Sequence, residues 1–219
     1  MKLDEYISNE SITLSLTDSV KKAISKTKDQ RVSHFPIIEN KKLFGCISES
    51  DLSTFAELDK AISDFQYTFE SFFATEHDNL IELITLFSLH ETNILPLIND
   101  DKKYVGYYEL SEILSLYADC PYIKEEGVIL ILEKNNTSYS ISEIAQISET
   151  HNATIYGLHI SNKSGLNTQI TIKIKTNIID DIIQSYRRYE YNIVSKHEDD
   201  SYLEDLKNRS NYLQKYLNI

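Results

Sequence analysis

The chain has 219 residues, a formal net charge of −12 and a pI of about 4.9. This acidity argues against binding to nucleic acid or to an anionic membrane, because both favour basic protein surfaces. The sequence shows no apolar run long enough for a membrane helix and no signal peptide at its start, so we expect a cytoplasmic protein. A chain of this length has room for two domains.

A block of about sixty residues occurs twice in the first half of the chain. The aligned pairs include Asp18 with Asp78, Ile24 with Ile84, Pro36 with Pro96 and, after one inserted residue, Gly45 with Gly106 and Asp51 with Glu112. Each copy is predicted to contain a short strand (residues 12–16 and 69–73), a helix that begins after Asp18 or Asp78, two further strands and a closing helix. Because neither copy can bury a good core alone, we expect the two to pack together.

Residues 45–51, Gly-Cys-Ile-Ser-Glu-Ser-Asp, carry the motif that most directly suggests a ligand. Gly45 allows a strand to bend and another backbone to approach closely. Ser48 and Asp51 are three residues apart, so a strand-to-helix turn can direct the hydroxyl and the carboxylate to one point. Together they can hydrogen-bond the paired hydroxyls of a ribose. The alternative is that Asp51 only caps the helix that follows it.

With the proline of each copy and the Gly-x-x-Ser/Thr-x-x-Asp signature, residues 12–116 resemble a pair of cystathionine-β-synthase-type (CBS) domains, a Bateman module. We place this tandem in residues 1–120, with repeat one at about 8–60 and repeat two at about 66–118. The resemblance implies an adenine nucleotide or adenosyl effector (AMP, ADP, ATP or S-adenosylmethionine) with no required cofactor. It also implies a homodimer that regulates a target protein, whose identity the sequence does not give.

The resemblance implies two ligand clefts. The first is predicted to contain Ser48, Asp51, Phe73, Asn93, Ile94 and Pro96. The second is predicted to contain Thr13, Ser33, His34, Pro36 and Glu112. We expect the second cleft to be the weaker one, because Glu109 replaces the hydroxyl of the signature and would repel phosphate. For His34, a packing role is the alternative to ligand contact.

From about residue 126 the pattern changes. Residues 127–133 are an apolar strand, a helix follows Ser140, residues 154–161 are a strand before a turn at 162–165, and residues 170–175 alternate isoleucine with threonine or lysine. Lys173 and Lys175 are predicted to lie on a solvated face. The order strand-helix-strand-strand-helix-strand is ferredoxin-like.

After a CBS pair, residues 126–198 therefore resemble an ACT domain, a small regulatory module, and residues 199–219 are predicted to form a C-terminal helix. The fold class is α/β (α+β). The layout is similar to the acetoin-utilisation B-type regulators of bacteria. The loop before Ser140 lacks the glycine of amino-acid-binding ACT domains, so a dimerisation or docking role is expected for this half.

The sequence shows no catalytic or metal-ligating motif. The six histidines are scattered, and the chain contains no Gly-rich phosphate loop and no nucleophile elbow. Cys46 lies in an apolar strand and is predicted to be a buried, reduced thiol. We therefore expect a non-catalytic regulator that senses an adenine-containing ligand. The alternative is a ligand-free dimerisation or adaptor module that docks on a target enzyme or transporter.

Overall fold

The computed structural model describes residues 3–28 and 30–195, and the chain divides into two units, Met1–Cys120 and Pro121–Ile219. Buried apolar side chains form two core clusters in the first unit and one in the second. Among the described residues, no helix combines the length and apolar character that crossing a membrane requires. The helix predicted for residues 199–219 lies outside the described residues and stays a prediction.

The two repeats of the first unit share a helix, two strands and a closing helix in the same order, and repeat two has one further short strand at its start. Repeat one consists of α1 (Val20–Thr27), β1 (His34–Glu39), β2 (Lys42–Ser48) and α2 (Glu49–Thr54). Repeat two consists of β3 (Ala74–Thr75), α3 (Leu80–Leu89), β4 (Ile94–Ile98), β5 (Tyr104–Glu109) and α4 (Leu110–Ala118). β1 pairs antiparallel with β2, and β4 pairs antiparallel with β5. The internal repeat that the sequence predicts is confirmed in the fold.

The strand expected at the start of each repeat differs from the prediction. In repeat one only Leu14 pairs, through a parallel bridge to Ile37. Its counterpart in repeat two is β3, which pairs in parallel with β4, so the strand predicted at residues 69–73 is wrong. The reason is that Glu70 pairs with Cys46 of repeat one instead, in an antiparallel bridge.

The first helix of each repeat begins one residue later than it would if Asp18 or Asp78 were its N-cap. Ser19 caps α1 and Asn79 caps α3, because each side chain accepts a hydrogen bond from a backbone N–H of the first turn. Asp18 and Asp78 each accept instead from a backbone N–H three residues earlier, which fixes the turn that leads into the helix.

Each strand that contains the signature glycine pairs, through an isolated antiparallel bridge, with the segment that precedes the other repeat. We call each of these two pairings a crossing. Cys46 in β2 exchanges two backbone hydrogen bonds with Glu70, both 2.8 Å from nitrogen to oxygen. Tyr107 in β5 exchanges two with Ser8, at 2.8 and 3.0 Å. In each repeat, the position next to the glycine strand on the side away from its antiparallel partner is therefore filled by a segment from outside that repeat.

Glycine is required where these crossings occur. Gly45 and Gly106 have φ angles of +151° and +152°. A Cβ atom at Gly45 would lie 2.9 Å from the carbonyl oxygen of Glu70, and one at Gly106 would lie 2.6 Å from the side chain of Ile7. The close approach that the sequence predicts at Gly45 is thus found at both glycines.

The second unit has a ferredoxin-like fold. After a short helix, α5 (Pro121–Lys124), the elements are β6 (Val128–Asn135), α6 (Ile141–Thr150), β7 (Thr154–Ser164), β8 (Asn167–Lys175), α7 (Ile179–Arg188) and β9 (Asn192–Ile193). The strand order is β7-β8-β6-β9, and all neighbours are antiparallel. Ile170, Ile172 and Ile174 of β8 are buried in the core, as their alternation predicts. The βαββαβ prediction is confirmed.

Two details of the second unit differ from the predictions. β7 continues to Ser164, through most of the predicted turn, and the chain reverses at Gly165 and Leu166. Lys173 is only 7% exposed, and its ammonium group donates a hydrogen bond of 3.1 Å to the carbonyl of Ile123. The prediction of a solvated Lys173 is wrong because α5 covers this part of the sheet.

Candidate functional site

The turn between β2 and α2 brings Ser48 and Asp51 together. Ser48 ends β2 and caps α2, and its hydroxyl accepts from the backbone N–H of Asp51 at 3.0 Å. The same hydroxyl donates to Oδ2 of Asp51 at 2.8 Å. Hydroxyl and carboxylate therefore meet at one point, as their spacing predicts. The helix cap is Ser48 and not Asp51.

This turn forms one wall of a cavity of about 580 Å³ within the first unit. Ser33 and His34 form a second wall, and Glu70 of the segment between the repeats contributes a third. Residues 89–91, at the end of α3, close the remaining side. A ligand in this cavity would contact both repeats.

The assignment of Ser33 and His34 to a separate, second cleft is wrong, because both line the same cavity as Ser48 and Asp51. The register of the sheet explains the placement. β1 and β2 are antiparallel, and His34 at the start of β1 lies directly opposite Ser48 at the end of β2. The side chains of His34 and Ser48 therefore lie at the same end of this strand pair.

Asn93, assigned to the first cleft, is not among the residues that line the cavity. Its side-chain oxygen accepts from the backbone N–H and the hydroxyl of Ser33, at 2.7 and 3.0 Å. Its amide nitrogen donates to the carbonyl of Arg31 at 2.8 Å. The polar atoms of Asn93 are thus used to connect the two repeats.

The apolar residues of the predicted first cleft also lie outside the cavity lining. Ile94 is buried in the core of repeat one, and Pro96 is buried in β4 opposite Tyr107. Phe73 is 41% exposed and outside the cavity lining, whereas its neighbour Phe72 is buried beside the cavity. Neither phenylalanine lines the cavity, and Phe72 is linked to it only through His90, on which its ring stacks.

Aromatic rings lie in a row beside the cavity. Phe72 stacks on His90, with ring centroids 4.6 Å apart and an interplanar angle of 21°, and it meets His34 edge to face at 5.4 Å. Nε2 of His34 lies 3.2 Å from Oε1 of Glu70. His34 is thus a packing residue that also lines the cavity. His90 and Glu70 were not predicted from the sequence, because they belong to no motif. The repeat gives no signal for His90 either, since it aligns with Gln30, which has no aromatic ring.

The remaining residues of the predicted second cleft do not reproduce the Ser48 turn. Glu109 precedes α4 but makes no side-chain cap bond, and Glu112 is exposed on α4. The carbonyl of Thr13 accepts from the ammonium group of Lys26. Pro36 is buried in β1. Among the described residues, the cavity beside Ser48 and Asp51 is therefore the better candidate site.

The titratable side chains in and near the cavity are carboxylates, two imidazoles and the thiol of Cys46. Within residues 3–28 and 30–195, no three His, Cys, Asp or Glu side chains form a group that could hold a metal ion. Burial, with a smaller contribution from the Glu70 carboxylate, raises the pKa of the Cys46 thiol behind the cavity wall. The thiol is therefore neutral and unreactive, in agreement with the sequence prediction. Hydroxyls, carboxylates and ring surfaces remain for a ligand to contact.

Comparison with known proteins links repeat one to a protein family. A family model described as CBS domain matches residues 3–57. Among curated proteins, the chain is 28% identical over 114 residues to inosine-5'-monophosphate dehydrogenase of Methanocaldococcus jannaschii. It is 27% identical over 117 residues to homoserine O-acetyltransferase of Methanosphaera stadtmanae. These matches cover 52% and 53% of this chain but 23% and 24% of the relatives, so the chain spans about a quarter of their length.

Among solved structures, a CBS domain pair/ACT domain protein from Thermotoga maritima is 17% identical to this chain, with a TM-score of 0.49. The alignment covers 54% of this chain and 98% of that chain. The family match lies on repeat one, and repeat two carries the same helix-strand-strand-helix order with the same antiparallel strand pair.

Proposed function

We propose that the first unit, which is a CBS domain pair, is a regulatory sensor that binds the adenosine part of a small molecule in the cavity beside Ser48 and Asp51. CBS domain pairs are in general regulatory, ligand-sensing modules. The proposal gives this chain a ligand class and a binding site.

One observation supports the proposal above all others: the cavity is lined both by the Ser48–Asp51 pair and by His90, whose ring stacks on the buried Phe72. The carboxylate of Asp51 has lone pairs for more acceptor contacts than the one from Ser48. It can therefore accept from a ribose hydroxyl, while the ring of His90 offers a flat surface to an adenine base. A volume of about 580 Å³ lies within the usual range of small-molecule sites.

The cavity also provides a route from binding to regulation. Asp51 belongs to repeat one and His90 to repeat two, so a ligand that touches both binds best when the repeats pack as they do here. A ligand shifts an equilibrium only by the difference in its affinity for the two states. Bound ligand would therefore stabilise this arrangement of the repeats, and the change would pass to a dimer partner, to the second unit or to a target protein.

Isothermal titration calorimetry of the full chain tests the proposal with adenosine, AMP, ADP, ATP and S-adenosylmethionine. We expect at least one of them to bind, and Asp51→Asn to weaken its binding about tenfold or more, which corresponds to the loss of a charged hydrogen bond. This substitution keeps the size of the side chain and removes its charge. Ser48 is a poor choice for the same test, because it caps α2.

The matched control is Asp59→Asn, at an exposed aspartate of repeat one that does not line the cavity. It should bind the same compound with unchanged affinity. If none of the five compounds binds to the wild-type chain, or if Asp51→Asn binds as well as wild type, the proposal is wrong.

A second function, a ligand-free dimerisation or adaptor module, is favoured by exposed apolar side chains on the helices of repeat two. These are Ile81 and Leu89 of α3 and Leu114 of α4, with Leu89 70% exposed. Such side chains are common where helices bind a partner subunit or another protein. Sedimentation of Leu114→Ser against wild type tests this function, since a dimer formed by this surface would dissociate in the variant.

A further inference from the structure

The charges around the cavity suggest which adenosyl ligands it accepts, an inference that rests on the function proposed above. Four carboxylates line the cavity, from Glu49, Asp51, Glu70 and Glu91. The ten lining residues include no lysine and no arginine. We propose that the cavity discriminates against phosphorylated adenosines and selects an adenosyl ligand that is neutral or positively charged.

The four acidic residues come from three separate segments of the chain. Glu49 and Asp51 belong to the first turn of α2, Glu70 lies on the segment between the repeats, and Glu91 follows α3. A phosphate group in the cavity would therefore meet like charge from more than one segment. At separations of several ångströms and an effective dielectric constant between those of water and a protein surface, each such pair changes affinity roughly tenfold.

Two histidines, His34 and His90, and the N-terminus of α2 are the groups at the cavity that can offset the charge of a phosphate. The imidazole of His34 lies 3.2 Å from the Glu70 carboxylate, so its charge, when protonated, is directed to that one acid. His90 presents its ring to Phe72 at 4.6 Å. The N-terminus of α2 offers little, because this helix has six residues, its Asp51 N–H is bonded to Ser48, and its first turn already carries Glu49 and Asp51.

The repeat supplies an internal comparison at one of these positions. A shift of sixty residues aligns Glu91 with Arg31 of repeat one. The backbone differs at the two positions, because Glu91 has a φ of +48° and Arg31 does not lie in the left-handed region. Glu91→Arg keeps a long side chain at this position and reverses its charge.

Calorimetry with two matched pairs of compounds tests the inference on the full chain. Adenosine and AMP differ by one phosphate, and S-adenosylmethionine and S-adenosylhomocysteine differ by a methyl group and the positive charge on sulfur. We expect adenosine to bind at least tenfold more tightly than AMP, and S-adenosylmethionine more tightly than S-adenosylhomocysteine. Both differences should shrink as salt is added, because partly exposed charges are screened.

Variants assign the effect to the cavity. Glu91→Arg should reduce the preference for adenosine over AMP about tenfold or more, and Glu91→Gln should reduce it by a smaller factor. Glu149→Arg makes the same change in net charge on an exposed face of the second unit and should leave the preference unchanged.

The possible results separate the two proposals. If AMP or ATP binds as tightly as adenosine or more tightly, the charge selection is wrong while the sensor function stands. If Glu149→Arg acts as strongly as Glu91→Arg, the selection comes from overall charge, and the inference is also wrong. If none of the compounds binds, both the sensor function and the charge selection are overturned.

Discussion

Ser33 and Asn93 occupy equivalent positions of the two repeats and hydrogen-bond to each other. The backbone N–H of Ser33 donates to the Asn93 side chain at 2.7 Å, and the backbone N–H of Asn93 donates to the Ser33 hydroxyl at 3.0 Å. Their carbonyls are equivalent too, since each accepts from the first residue of the helix after the glycine strand, Glu49 or Leu110. Each residue repeats the contacts of the other, as expected where two copies of a fold face each other.

We predict that this reciprocal contact stabilises the first unit. Asn93→Ala removes the acceptor of two Ser33 donors, and we expect the free energy of unfolding to fall by about 1–3 kcal/mol in urea titrations. A double-mutant cycle with Ser33→Ala should give a coupling energy of about 1 kcal/mol, because the two residues share these bonds. Strictly additive losses would contradict the prediction.

The glycine crossings make a second prediction. Gly106→Ala would place a Cβ 2.6 Å from the Ile7 side chain and 2.7 Å from the Ser8 carbonyl oxygen, at a φ of +152°. We expect a loss of about 2–3 kcal/mol in unfolding free energy and faster proteolysis of residues 3–8. Gly165→Ala is the control, because its φ is +60° but no atom lies within 4 Å of the added Cβ. It should cost about 1–2 kcal/mol and leave residues 3–8 protected. Equal proteolysis of both variants would refute the role of the crossing.

A third prediction concerns alkaline pH and Tyr186 in the second unit. The hydroxyl of Tyr186 is buried and bonded to Ser148 at 2.7 Å and to the Ile144 carbonyl at 3.1 Å. Burial, partly offset by the Ser148 hydrogen bond, raises the pKa of Tyr186 to about 12. An unfolded tyrosine ionises near pH 10, so the stabilising effect is complete below about pH 10 and is lost as the pH rises through about 12.

The magnitude expected from that shift is about 3 kcal/mol for a fully buried group. Urea unfolding of the full chain at a series of pH values should show the loss, and Tyr186→Phe should reduce its slope. Tyr189→Phe, at a tyrosine that is 52% exposed, is the matched control and should keep the wild-type slope. A Tyr186→Phe profile parallel to that of wild type would rule out the assignment.

The attachment of α5 to the sheet of the second unit gives a fourth prediction. Tyr122 lies against Gly157, where an added Cβ would be 2.8 Å from its ring, and Lys173 donates to the Ile123 carbonyl. Lys173→Met should therefore speed amide hydrogen exchange at Glu125, whose N–H donates to the Pro121 carbonyl at 3.1 Å, by about tenfold, as the loss of one hydrogen bond to a charged group implies. Lys175→Met, at the exposed neighbour on the same strand, should leave this exchange unchanged. Unchanged exchange in the Lys173 variant would show that α5 is held by other contacts.

Much of the fold could be predicted because it depends on local patterns. Gly45 and Gly106 lie where another backbone segment comes too close for a side chain. The same constraint acts in both copies, so both keep the glycine and the repeat can be recognised in the sequence. The alternation of Ile170, Ile172 and Ile174 identified a sheet with one buried face.

The site was harder to predict because it depends on register and on distant segments. Phe72 and Phe73 are adjacent in sequence, yet a shift of one residue decides which ring faces the interior. His34 joins Ser48 only because the two lie opposite each other in an antiparallel pair. Lys173 is covered by α5, some fifty residues earlier in the chain, and no pattern within β8 carries that information.

The crossings at Ser8 and Glu70 have a consequence for how this chain could be divided. A fragment cut at 8–60 would keep the segment that pairs with Tyr107 and lose the one that pairs with Cys46, and a fragment cut at 66–118 would have the reverse defect. Each fragment contains the segment that pairs with the glycine strand of the other repeat. Neither repeat can therefore be excised, swapped or duplicated alone without leaving the backbone of its own glycine strand unpaired on one side. The pair, and not the single repeat, is therefore the smallest unit that evolution or protein engineering can transplant.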